Sequence, residues 1–130
     1  MPVMKKILFT LILLLFTASA CESEKEITVA LTVPDTSWNI SINEVYKVDS
    51  GLWVISTVFH KPGMIGAQVI STVSDSVTIK APDLPVKIFI IGKTWNWEND
   101  EPYTFISNLR EIEKKLESGK LLFKTEKKES

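Results

Sequence analysis

One cysteine and one histidine are all that this chain of 130 residues offers to thiol or imidazole chemistry. Cys21 alone cannot close a disulfide framework, and His60 with a single thiol falls short of the four ligands that a structural zinc requires. Positive charge is not in excess, since 15 basic residues face 16 acidic ones, so nothing draws the chain to nucleic acid. No apolar run reaches across a bilayer: Ile7 to Ala20 stops short of the about 20 residues that the hydrocarbon thickness demands. Gly92-Lys93-Thr94 looks like the end of a phosphate-binding loop, but Lys87 stands where that loop needs its first glycine, and no long helix pattern follows Thr94. No nucleotide, metal or other cofactor is expected.

What is present begins with a three-part leader. Lys5 and Lys6 form a positive start, Ile7 to Phe16 an apolar stretch interrupted only at Thr10, and Thr17-Ala18-Ser19-Ala20 a small-residue approach to Cys21. This is the layout of a cleavable signal peptide over residues 1–20. Ala18-Ser19-Ala20-Cys21 resembles the lipobox of bacterial lipoproteins, with Ala18 where leucine is usual. The resemblance implies that Cys21 becomes the new N-terminus, carries fatty-acyl chains such as palmitate, and ties the mature chain to a membrane of the cell envelope. With Glu22 and not aspartate after the cysteine, it implies the periplasmic face of the outer membrane in a Gram-negative cell. Two or more acyl chains hold a protein stably where one does not. Ala18-Ser19-Ala20 also satisfies the A-x-A pattern of ordinary signal peptidase, which would leave the chain without lipid. Removing Lys5 and Lys6 takes the formal charge from −1 to −3.

The mature chain has the length of one domain. Glu22 to Glu26 is short and polar and is expected to be a linker. From Ile27 the pattern has period two, with Ile27, Val29, Leu31 and Val33 on one side and Thr28, Ala30 and Thr32 on the other, up to Pro34-Asp35. Trp38, Ile40 and Ile42 continue the alternation, which then loses regularity through Val48 before the turn Asp49-Ser50-Gly51. Leu52 to Phe59 is apolar on both faces, as expected of a central strand. Short β segments are expected at Ala67–Val73, Val77–Ala81 and Val86–Ile91, separated by turns at Ser74-Asp75 and Pro82-Asp83. Phe105, Ile106, Leu109, Ile112 and Leu116 recur at three- and four-residue spacing, which predicts an amphipathic helix with Asp100 as N-cap and Ser118-Gly119 as its stop. Leu121 to Phe123 can return as a last strand, and residues 125–130 have nothing to bury. The expected fold is mainly β (β-rich α+β): an antiparallel sandwich or barrel-like sheet over residues 27–124, with one C-terminal amphipathic helix.

Residues able to carry chemistry are few. His60 beside Lys61-Pro62-Gly63 is the only imidazole base, and hydroxyl residues are so common on β surfaces that a serine near it says little. Glu98, Asn99, Asp100 and Glu101 offer oxygen ligands, but their spacing matches no calcium loop, and acids ahead of a helix are expected from its dipole alone. Trp95, Trp97 and Tyr103, interleaved with Asn96, Glu98 and Asn99, form the densest aromatic cluster and suit stacking on sugar or peptide. The plainer reading is that Trp95 and Trp97 cap the core from one side of a strand. Met64 and Ile65 lie between glycines at what reads as a turn tip, where apolar residues mark a binding loop or fold back and are buried. Asn39-Ile40-Ser41 matches a glycosylation acceptor.

With no convergent catalytic set in view, the sequence points to a lipid-anchored envelope protein that binds and does not catalyse. Its partner is expected to be an envelope protein, a protease to be inhibited, or glycan, met through His60, Met64, Ile65, Trp95, Trp97 and Tyr103. Two alternatives stand beside it: an envelope hydrolase that assembles His60, Asp75 and Asp100 in the fold, and a structural or assembly lipoprotein docking through a sheet edge or the Met64-Ile65 loop.

Overall fold

A computed structural model of the protein describes residues 22–61 and 68–125. The leader, Cys21, Met64, Ile65 and residues 126–130 lie outside the described residues. Among the described residues seven strands run in the order β1 (Glu22–Val33), β2 (Trp38–Val48), β3 (Gly51–His60), β4 (Ser71–Pro82), β5 (Val86–Ile91), β6 (Thr104–Ile106) and β7 (Lys120–Lys124), with a 3-10 turn at Leu109–Glu111 and one short helix, α1 (Glu113–Glu117). β1 and β4 form a two-stranded antiparallel sheet, and the other five strands form a sheet ordered β6-β5-β3-β2-β7.

The period-two pattern of β1 is what puts the two sheets face to face. Val29, Leu31 and Val33 are fully buried and Ile27 nearly so, while Thr28 stays exposed on the opposite face. These residues, with Ile79 and Ala81 of β4, pack on Ile40, Ile42 and Val45 of β2, Leu52, Val54 and Val58 of β3 and Ile90 of β5. Burying a Val, Leu or Ile side chain contributes about 1.5–3 kcal/mol, so this layer is the main source of stability. The far face of the larger sheet carries a smaller cluster, Val48, Ile55 and Phe89, covered by Leu116 of α1 with Tyr46, Trp53, Ile91, Ile106 and Ile112 around it. β3 therefore lies in the middle of its sheet with apolar cover on both sides, as its sequence predicts.

Four expectations are corrected. Glu22 to Glu26 is not a linker: these residues pair with Thr78–Pro82 and extend β1 to its full length. The turn expected at Ser74-Asp75 is absent, because Asp75 continues β4 and turns its carboxylate inward to accept the Ile42 N–H at 2.8 Å. The sheet is mixed, with β5 parallel to β3 and β6 parallel to β5.

The long C-terminal helix does not form. Phe105 and Ile106 pair instead with Ile90 and Ile91, and the helical spacing of the apolar residues is shared out among a strand, a 3-10 turn and five residues of helix. Asn108, not Asp100, caps the turn, accepting the Arg110 N–H at 2.9 Å, while Glu111 reaches back to accept the Ser107 N–H at 2.7 Å.

The irregularity in β2 has a local cause. The register with β3 shifts between Ile42 and Glu44, which makes Asn43 an extra residue on the β2 side. Asn43 is held by Thr57, whose hydroxyl donates to its Oδ1 at 2.6 Å, and by the Thr125 N–H, which donates to its carbonyl at 2.9 Å.

Candidate functional site

Strand direction sorts the connections into two kinds. At the end where β1 begins, the turns are short: Asp49-Ser50 between β2 and β3, Asp83 to Pro85 between β4 and β5, and Ser118-Gly119 between α1 and β7. At the opposite end lie the turn of residues 34–37, the end of β3 at His60, residues 68–70 ahead of β4 and the long loop of residues 92–103. Adjacent parallel strands cannot be joined by a tight hairpin and need a crossover of about a dozen residues. The loop 92–103 is that crossover, between β5 and β6. His60, Trp95, Trp97 and Tyr103, far apart in the chain, all belong to this end.

Trp38 joins them. Where β2 starts, it faces His60 across the β2–β3 pair, with ring centroids 5.2 Å apart and edge to face. Trp95 packs edge to face on Trp38 at 5.1 Å, and Trp97 lies against Trp95 at 5.5 Å with ring planes 36° apart. Trp38 and Trp95 also touch the main core, so the cluster is rooted at one side and half open at the other. Lys93 places its ammonium over Phe105 at 4.8 Å and over Trp95 at 5.8 Å. Beyond this cluster, Val69 and Ile70 stand 59% and 68% exposed just ahead of β4, the most open large apolar side chains among the described residues.

His60 does meet a serine and a carboxylate, but in an order that suits structure and not nucleophilic attack. Ser37 Oγ is bonded both to Asp35 Oδ1 and to His60 Nε2, the second at 2.5 Å. Asp35 Oδ1 also accepts the Ser37 N–H at 2.8 Å, which closes the turn between β1 and β2. Those donors, the hydroxyl first, hold the Asp35 carboxyl below its ordinary range, with help from the nearby imidazole. An ionised Asp35 takes the one proton of the Ser37 hydroxyl, so His60 Nε2 must donate and has no lone pair with which to activate the serine. In a working triad the carboxylate would sit behind the histidine, and the nucleophile would be open to substrate; Ser37 is 1% exposed.

The other members of the expected hydrolase set are not brought here. Asp75 is occupied with β2, and Asp100 is exposed on the loop. Among the described residues no group of three or more His, Cys, Asp or Glu is placed to hold a metal ion.

Tyr103 and the polar residues around it face inward, along the edge of β1 that β4 leaves unpaired. Tyr103 Oη accepts the Ala30 N–H at 3.2 Å, and Glu101 Oε2 accepts both the N–H and the hydroxyl of Thr32, at 2.9 and 2.8 Å. Asn99 donates to the Thr32 carbonyl at 2.8 Å and to Glu101 Oε1 at 3.1 Å, and its Oδ1 accepts the Trp95 indole N–H at 2.9 Å. These side chains stand in for a neighbouring strand and fix the loop that carries the tryptophans. Burial raises the Glu101 carboxyl, but the donors from Thr32, Asn99 and its own backbone outweigh it and leave the group below its usual value. An open hollow of about 290 Å³ remains beside them, lined by Lys93, Glu98, Asn99, Glu101, Tyr103 and Phe105.

The sequence reading missed Trp38, Ser37 and Asp35. A tryptophan directly after a Pro-Asp turn was a usable signal for Trp38, whereas its partnership with His60 depends on a register that only the fold sets. No protein-family model, curated protein or solved structure matches the chain.

Proposed function

We propose that the protein is a lipid-anchored, non-catalytic binding module of the cell envelope that meets a protein partner with the end bearing Trp38, His60, Trp95 and Trp97. The observation that carries this reading is that the half-open aromatic cluster and the exposed Val69 and Ile70 lie at the same end of the domain, where β1 and β3 finish and β4 starts. Loops held by a rigid sheet are the usual carriers of recognition, and aromatic anchors beside apolar residues supply most of the energy of protein contacts. Glycan is the weaker reading. Edge-to-face and tilted tryptophans present no broad flat platform, and the polar groups nearest them are spent on β1.

The tether rests on the leader and on Cys21. Changing Cys21 to Ser is expected to abolish lipid labelling and move the protein from the membrane to the soluble fraction; unchanged fractionation removes the tether. For the contact surface, a Val69→Ser, Ile70→Ser double variant and a Trp97→Ala variant are compared with a control altered at exposed Thr78. Binding to envelope proteins should fall severalfold in the first two and hold in the control. Intact protein binding, with carbohydrate retention that vanishes in Trp97→Ala, would replace this reading with a glycan site.

A further inference from the structure

We infer that the domain stands on the membrane with β1 as its upright, so that the aromatic end is presented away from the bilayer to a partner on the far side and does not insert into lipid. This rests on the reading of Cys21 as the lipid-bearing residue; the orientation itself comes from the fold. Glu22 is already paired, opposite Pro82, so no flexible spacer separates the acylated residue from the sheet. From there β1 runs without interruption to Val33, paired with β4 along its whole length. Twelve residues of strand, at about 3.3 Å each, span roughly 36–40 Å.

The turn of residues 34–37 follows at the far end, where Ser37 touches His60, and Trp38 begins β2. The near end carries Asp49-Ser50, Asp83 to Pro85 and the Ser118-Gly119 turn from α1 into β7, all short, which leaves the lipid-bearing residue close to the body of the domain. Exposed Val69 and Ile70 and half-open Trp97 would read on their own as residues dipping into a bilayer. The strand that connects them to the anchor holds them a full domain length from it.

The test uses the full lipidated chain in phospholipid vesicles that contain a headgroup-attached fluorescence quencher. A dye is placed at the near end through Ser50→Cys and, in a separate protein, at the far end through Asn96→Cys, both exposed positions. The expected result is strong quenching at position 50 and little at position 96. Equal quenching at both positions, or more at position 96, overturns the orientation. A protein that does not float with the vesicles removes the tether, and the orientation falls with it; a vesicle-bound protein with equal quenching leaves the tether standing and removes the orientation alone. Inserting a flexible Gly-Ser segment between Cys21 and Glu22 should even out the two signals while vesicle binding persists.

Discussion

At Gly92 the backbone leaves β5 with φ at +104°, and a methyl group there would sit 2.2 Å from the carbonyl oxygen of Val58. Glycine is needed on both counts, for the conformation and for the space. Gly92→Ala is expected to cost about 2 kcal/mol or more in urea denaturation. A loss below about 0.5 kcal/mol would mean that β3 and β5 separate there without penalty. Two buried serines give the opposite pair of outcomes. Ser56 lies in β3 between Ile42 and Ile90, fully buried, and its hydroxyl has no hydrogen-bond partner among the described residues. Exchanging a desolvated, unpaired hydroxyl for hydrogen is close to neutral or favourable, so Ser56→Ala should move stability by less than about 1 kcal/mol, toward the folded state. Ser37→Ala, which removes the hydroxyl shared by Asp35 and His60 and leaves Asp35 only the N–H of residue 37, should lower the melting temperature clearly. Equal melting shifts would show that the two hydroxyls are not differently bound.

The loop 92–103 acts as an element without being a helix or a strand. An open sheet edge invites pairing with another chain, and here the β1 edge is taken up at Ala30 and Thr32 by Tyr103, Glu101 and Asn99. The first half of β2 is treated in the same way, its Ile40 N–H bonded to Asn39 Oδ1 and its Ile42 N–H to Asp75. Glu101 makes the loop sensitive to acid. Its carboxyl lies below the ordinary value of 4.5 in the folded protein, so ionised Glu101 favours the folded state above that pH, and the benefit is lost as pH falls from 4.5 through the folded value. Glu101→Gln should be less stable than the natural protein at neutral pH and match it in strong acid, as followed by urea denaturation across pH. A gap that persists in acid would mean that shape, not charge, is what Glu101 supplies. The expected C-terminal helix fails at this same scale. Spacing in sequence cannot tell a helix from a strand followed by a turn when β5 offers Phe105 and Ile106 an open edge.

The molecule as a whole is two sheets and a small cap around β3. β3 has hydrogen-bonded neighbours on both sides and apolar cover on both faces, so its amides should exchange slowest in native-state hydrogen exchange, and those of β6 and of the loop 92–103 fastest. Protection that is uniform across the larger sheet would contradict this layering. The single residue Asn43 then decides what the aromatic end contains. A hairpin that closes at Val48 and Gly51 without a bulge would set Trp38 against Lys61; the extra residue sets it against His60.

Patterns of period two and of turn residues were enough, on their own, to determine β1, β2, β3 and β5 and the central place of Leu52 to Phe59, because burial of one or both faces writes itself into the order of apolar residues. A single cysteine left no internal disulfide framework to consider, in the same direct way. Tertiary structure alone decided that Glu22 belongs to a strand, that β5 and β6 run parallel to β3, that Asp75 bridges two sheets, and that Trp38, His60 and Trp95 touch. Each of these depends on which distant segment supplies a hydrogen bond or a surface, and a side chain's sequence neighbours carry no record of that.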